Sequence, residues 1–217
     1  MSICYKHKFI FIHLQKTGGS SIHTVLGQLK LVQNSEKYLT GRISSDVSAQ
    51  KFPYTHYWHH LKASDVRKIV SEEIWNTFFK FTFVRNPWDR TVSMFFYAKK
   101  STSNPSSVHW GRHYPDKFED WLREVHGKGV PQCNFITDED GKLLVDFVGR
   151  FERLEEDFKR VCKITGLLNI NLPHVRKSAH KHYSEYYTRQ TRQFVADCYK
   201  KDIELFGYRF EDNRLLL

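Results

Sequence analysis

The chain has 217 residues, of which 40% are hydrophobic and 15% aromatic, which is enough for one substantial core and excludes an intrinsically disordered protein. Lysine and arginine number 34 against 24 aspartates and glutamates, so the net charge of +10 favours anionic partners. This composition predicts one globular domain over residues 1–217. Because no nucleic-acid reader motif accompanies the charge, the expected anionic partner is not a nucleic acid.

The first predicted element is a strand over Lys8–His13 that leads into the residues QKTGGSS and then a helix after Ser20. Two glycines permit a tight turn with inward-pointing N–H groups, and the helix N-terminus adds partial positive charge. The segment therefore predicts a phosphate cradle. A Walker loop carries its lysine after the glycines, whereas Lys16 precedes them here, which disfavours an ordinary ATPase.

A polar, loop-rich stretch is predicted over residues 30–51, followed by a short strand at 54–58 and a helix capped by Ser64. A buried strand over Phe79–Val84 then ends at Arg85, and Asn86 and Pro87 have the residue types that begin a helix. Ser93 lies roughly 10 Å along that helix. Arg85 and Ser93 can share a second phosphate if the helix runs back past it.

Five further elements complete the prediction. The first is a helix capped by Asp116 and Glu119, and the second is a hairpin turn at Asp138–Gly141. A strand over Leu143–Gly149 then leads into a helix over Glu152–Thr165 that ends at Gly166. The last is a helix over 188–206. Strands alternating with helices predict a three-layer α/β domain with a mostly parallel sheet. Phosphate ligands are expected at the carboxyl edge of that sheet.

The segments KTGGSS and FVRNPWDRTVS resemble the two nucleotide-binding motifs of sulfotransferases that use 3′-phosphoadenosine 5′-phosphosulfate (PAPS). The similarity extends through VDFVGRFERLEEDF, LPHVRKSAHKHYSEYYT and DIELFGYRF, and so covers most of the chain. The resemblance is to the carbohydrate sulfotransferase family 2 type, which includes heparan sulfate 2-O-sulfotransferase and short bacterial members. It implies a P-loop-like α/β/α sulfotransferase fold.

The resemblance implies in-line transfer of a sulfuryl group to an acceptor hydroxyl, with 3′-phosphoadenosine 5′-phosphate (PAP) as the product. Lys16 would stabilise the leaving phosphate, and Arg85 and Ser93 would bind the 3′-phosphate. Two loops would supply the remaining nucleotide contacts: Thr17, Gly18, Gly19, Ser20 and Ser21 in the first motif, and Ser178 and Tyr183 in a segment that closes over the nucleotide. A carbohydrate acceptor is favoured.

The histidine before Leu61 matches the family position of a catalytic base, which is His60 here. Imidazole, with an unperturbed pKa near 6.5, suits proton uptake at neutral pH. His56 and His59 compete for this role, and a carboxylate is a third alternative.

No metal is expected, because no acidic residue ends the Phe79–Val84 strand and the four cysteines lack metal-site spacing. A P-loop-like kinase or NTPase, and a non-catalytic nucleotide-binding member of the family, remain as alternative functions. The sequence shows no membrane span or secretory signal, which favours a cytoplasmic protein, peripheral to a membrane at most.

Overall fold

The computed structural model describes residues 1–28, 33–34, 60–103, 109, 111–126, 129–167, 170, 172 and 180–211. The chain divides into two compact units. The first comprises Met1–Val84 and Asn134–Arg176, and the second comprises Arg85–Cys133 and Lys177–Leu217. Each unit is described below by itself, and a single domain over 1–217 stays a prediction.

Five strands of the first unit form one sheet in the order β3-β1-β2-β4-β5. They are β1 (Ser2–Cys4), β2 (Phe9–Ile12), β3 (Gln33–Asn34), β4 (Phe79–Val84) and β5 (Phe147–Arg150). The neighbours β2, β4 and β5 run parallel, whereas β1 pairs antiparallel with β2 and β3. Because β2 and β4 are parallel and Ile12 pairs with Thr82, the C-terminal ends of these two strands lie at the same edge of the sheet.

Eight α-helices lie within the described residues. They are α1 (Gly19–Gln28), α2 (Ala63–Ile69), α3 (Glu72–Thr77), α4 (Pro87–Ser101), α5 (Phe118–Trp121), α6 (Leu154–Thr165), α7 (Arg189–Cys198) and α8 (Lys200–Phe206). None of the helices in this described part is long and apolar enough to cross a bilayer.

Helices cover both faces of the sheet in the first unit. On one face, alternate residues of β2 and β4, such as Phe11 and Phe83, join a core cluster with residues of α1 and α6, such as Ile22 and Phe158. On the other face, Lys80 extends its Nζ to 5.4 Å from the Trp75 ring of α3. Helices on either side of a sheet whose central strands are parallel confirm the α/β fold.

The second unit surrounds α4, whose beginning was predicted correctly. The Asn86 side chain caps the helix by accepting a hydrogen bond from Trp88 N at 3.1 Å, and Pro87 occupies its first turn. Val92 and Phe95 of this helix pack with Val195 of α7 and with an aromatic cluster. The cap and this core fix where α4 starts and which side of it is buried.

Two predicted caps are wrong. Ser64 lies inside α2, whose N-cap is Lys62 and makes no side-chain cap. Asp116 instead pairs with Lys99 at 2.5 Å between Nζ and Oδ1, and α5 begins at Phe118. Ser64 and Asp116 are both residue types that commonly cap helices, but each helix begins at a different residue.

The later elements are confirmed in kind and corrected in extent. Asp138–Gly141 is a hairpin turn, since Thr137 and Leu143 bridge across it, but β5 starts at Phe147. Gly166 ends α6 in a left-handed conformation with φ 71°. The predicted terminal helix is two helices, α7 and α8, which meet at Tyr199. The predicted strand at 54–58 and nearly all of the 30–51 loop lie outside the described residues.

A partly buried histidine, His126, ends a short π-helix in the second unit. Its ring stacks on Trp121 with centroids 5.2 Å apart, and its Nε2 lies 2.7 Å from the Tyr199 hydroxyl. Burial, aided by the charge of Arg90, lowers the pKa of His126 from 6.5 to about 4.

This lowered pKa predicts a loss of stability in acid. Between pH 6.5 and about 4 the unfolded chain binds a proton at residue 126 that the folded chain excludes, so stability falls as the pH falls through this window. Between pH 7.5 and pH 5, the free energy of unfolding of the wild type should fall by about 2 kcal/mol more than that of His126→Phe. Urea unfolding at the two pH values measures this difference. The control is the exposed His113 changed to Phe. A pH-independent difference between wild type and His126→Phe would contradict the prediction.

Candidate active site

The predicted phosphate cradle lies between β2 and α1. Lys16 and Gly18 both have left-handed backbones, with φ 64° and 84°. The buried Thr17 between them donates from Oγ1 to the Leu14 carbonyl at 2.9 Å, and Ser21 N donates to the Gly18 carbonyl at 3.0 Å. These contacts hold a compact turn at the N-terminus of a ten-residue helix, where anions are stabilised.

Each glycine of the turn is required for a different contact. A Cβ added to Gly18 would lie 2.7 Å from Leu154 Cδ2, besides adopting an unfavourable φ. A Cβ added to Gly19 would lie 2.0 Å from Cδ2 of His13. The pair therefore lets α6 approach one residue of the loop and the His13 ring approach the next.

Lys16 keeps a strained conformation that glycine or asparagine adopts far more readily. A left-handed backbone costs a residue with a Cβ on the order of 1 kcal/mol. The chain retains this cost at the one cationic residue of the loop. Such strain is typical of functional positions, and it supports the assignment of Lys16 as a site residue.

His60 lies beside the residue that opens the loop. Its Nδ1 is 2.9 Å from the carbonyl oxygen of His13, and the two rings are 4.6 Å apart between centroids. Because a carbonyl only accepts hydrogen bonds, Nδ1 carries the proton of the neutral ring and Nε2 is the basic nitrogen. The predicted base is thus oriented by the end of β2, whereas His56 and His59 lie outside the described residues.

His13 lies against the predicted phosphate loop and was not among the residues predicted from the sequence. Its ring stacks on Phe11 at 5.6 Å, lies 4.7 Å from the His23 ring, and fills the space next to Gly19. The sequence feature that could have identified His13 is its position directly after the last residue of β2. Despite these three neighbouring histidines, the described ranges hold no group of three His, Cys, Asp or Glu side chains arranged to bind a metal.

In the second unit, Arg85 and Ser93 lie along one side of α4. The guanidinium of Arg85 forms a two-point ion pair with Asp89, with Nε–Oδ2 and Nη2–Oδ1 both 2.8 Å. Because residues 85, 89 and 93 are spaced by four, this pair carries the guanidinium one turn toward the buried Ser93. Shared binding of one phosphate by Arg85 and Ser93 stays a prediction.

Tyr183 is buried rather than presented to solvent. Its hydroxyl accepts hydrogen bonds from Glu211 N at 2.7 Å and from Asn86 Nδ2 at 3.5 Å, and burial raises its pKa to about 12. The residue braces the cap of α4, and its nucleotide contact stays a prediction. Ser178 lies outside the described residues.

Comparisons with known proteins bear on the whole chain. The model of the sulfotransferase family matches residues 1–209. Carbohydrate sulfotransferase 10 of Gallus gallus is 24% identical over 97% of this chain and 66% of its own length. Human carbohydrate sulfotransferase 9 is 27% identical over 94% of this chain and 52% of its own length. The chain thus spans about two thirds and about half of these relatives.

Proposed function

Because the chain belongs to the sulfotransferase family, we propose that it transfers a sulfuryl group from PAPS to a hydroxyl group of a carbohydrate. Sulfotransfer follows from the family, while the donor, the base and the acceptor are our proposal. The acceptor class rests on the names of the similar carbohydrate sulfotransferases from chicken and human. Compartment and any membrane association stay predictions.

The observation that carries the proposal is the conformation of the loop at Lys16 and Gly18. Lys16 and Gly18 both have left-handed backbones at the start of α1, and left-handed residues occur in the anion-binding turns whose amide groups converge on a phosphate. Lys16 adds a full positive charge to the same turn. This combination suits a phosphate ester whose charge grows as the bond to sulfur breaks.

In this proposal the predicted site residues have separate roles in the reaction. PAPS supplies the sulfuryl group, attached to its 5′-phosphate. His60 takes the acceptor proton at Nε2, the nitrogen that its bond to His13 leaves basic. Lys16, the amides of Gly18 and Gly19, and nearby hydroxyls including Ser20 stabilise the departing phosphate. Arg85 and Ser93 bind the 3′-phosphate.

Two alternatives make different predictions. A kinase or NTPase would need a lysine after the glycines and an acidic metal ligand near the end of β4, but Val84 is followed by Arg85. A non-catalytic member would bind PAP without transferring sulfate. Nucleotide preference separates the first alternative from the proposal, and transfer assays separate the second.

Calorimetric titration with PAP, compared with titration with ATP and magnesium, tests whether the donor is PAPS. The wild type should bind PAP without metal and in preference to magnesium-ATP, and Arg85→Ala should weaken PAP binding roughly tenfold to a hundredfold by removing a bidentate cation. Arg123→Ala is the matched control, because it removes one exposed cation, 58% accessible, from the same unit. Preference for magnesium-ATP would overturn the proposal.

A further inference from the structure

The backbone of Arg85 is held at two points by one buried side chain, Gln132. Arg85 N donates to Gln132 Oε1 at 2.9 Å, and Gln132 Nε2 donates to the Arg85 carbonyl at 2.8 Å. The side-chain amide therefore acts as a peptide group would in a neighbouring strand. Because one end must accept and the other must donate, the orientation of this amide is fixed.

Gln132 is itself fixed by Asp202 at the start of α8. One carboxylate oxygen accepts from Gln132 N at 2.7 Å and from Gln132 Nε2 at 3.3 Å, and the other accepts from Cys133 N at 2.8 Å. Gln132 and Asp202 are both fully buried. The Asp202 charge is balanced electrostatically by Arg90, whose pKa burial lowers while Tyr199 and Asp202 oppose that shift.

Arg85 is consequently constrained from both ends. Asp89 sets the direction of its guanidinium, and Gln132 sets the position of the backbone from which that side chain extends. Only Asn86 separates Arg85 from the first residue of α4, so the backbone at 85 also sets how the chain enters the helix that carries Ser93. A shift of Arg85 would change its distance from whatever Ser93 binds.

We propose that Gln132 is a positioning residue for recognition of the 3′-phosphate, acting through the Arg85 backbone. This inference rests on the proposed function, in which Arg85 and Ser93 bind that phosphate. Recognition of a phosphate by a guanidinium depends on paired, directional hydrogen bonds, so it is sensitive to small displacements. Gln132 would then control discrimination between nucleotides with and without a 3′-phosphate, rather than nucleotide binding in general.

The test compares PAP with adenosine 5′-phosphate, which lacks only the 3′-phosphate. Calorimetry gives both dissociation constants for the wild type and for Gln132→Met, which keeps the side-chain length but removes the amide. We expect PAP affinity to fall about tenfold, and adenosine 5′-phosphate affinity to change by less than about twofold. Gln132→Asn keeps the amide but shortens the side chain by one methylene group, so it should lose less of this selectivity than Gln132→Met does.

Thr191→Val controls for general destabilisation, because it removes the half of the α7 capping box in which Thr188 N donates to Thr191 Oγ1, without touching Arg85. Its selectivity for PAP should equal that of the wild type. If Gln132→Met does not fold, the loss of selectivity in Gln132→Asn decides the matter. Unchanged selectivity in the Gln132 variants would overturn this inference alone. Equal binding of the two nucleotides by the wild type would overturn the 3′-phosphate assignment, and with it the proposed function.

Discussion

Replacing His60 with asparagine is expected to slow sulfuryl transfer by about 10²- to 10⁴-fold, the range for loss of a general base. The asparagine amide can still donate to the His13 carbonyl, as Nδ1 does, but it offers no basic nitrogen at the position of Nε2. PAP affinity should therefore change little. Single-turnover transfer from PAPS, measured beside calorimetric PAP binding, separates the two effects.

The neighbouring histidines provide the matched controls. His56→Asn and His59→Asn make the same chemical change close by in the sequence, and both should retain transfer. If either variant loses transfer while His60→Asn keeps it, the base has been assigned to the wrong histidine. If all three keep both PAP binding and transfer, a carboxylate becomes the leading candidate. A wild type that binds PAP but transfers to no carbohydrate would favour the non-catalytic alternative.

Replacing Lys16 is expected to reduce transfer by about 10²- to 10³-fold, as loss of a group that stabilises transition-state charge does. The left-handed backbone makes the choice of replacement informative. Lys16→Gly and Lys16→Ala both lack the ammonium group and should be equally slow. Glycine tolerates φ 64° whereas alanine does not, so Lys16→Gly should be more stable than Lys16→Ala by about 1 kcal/mol.

Urea unfolding and transfer assays on the same preparations test both parts of this expectation. Gly27→Ala is the reference for the glycine effect, because a Cβ there meets no atom within 4 Å and the residue lies inside α1. There, in a helix, alanine should be the more stable residue, which reverses the order expected at position 16. Equal stability of the two Lys16 variants would show that the backbone at 16 carries no strain. Transfer at the wild-type rate in either variant would remove Lys16 from the reaction.

Local patterns predicted the elements that carry the proposed phosphate contacts. The apolar strand, the two glycines and the following helix were recognised because turn chemistry and helix periodicity act over a few residues. Asn86 and Pro87 marked the start of α4, and Gly166 marked the end of α6, for the same reason. Ser64 and Asp116 failed as caps since several nearby residues could begin each helix, and packing decided among them.

The residues that orient the site were beyond sequence reasoning. Gln132 bonds to Arg85 across 47 positions, and Asp202 bonds to Gln132 across 70. Neither residue belongs to a motif, and a buried glutamine has no periodic signature. His13 was adjacent to the predicted loop, but its contact with His60 also spans 47 positions. Such pairs follow from the tertiary fold, which no local window contains.

The link between Asp202 and the Arg85 backbone also has a consequence for biosynthesis. A ribosome makes residues 8–28 long before it makes α8, so the strand, loop and helix of the first motif are synthesised before that helix exists. Arg85 emerges without the carboxylate that holds Gln132 in place. A nascent chain arrested before residue 202 would leave buried backbone groups at 132 and 133 without their acceptor. Arg85 would then acquire its final geometry only after α8 has been synthesised.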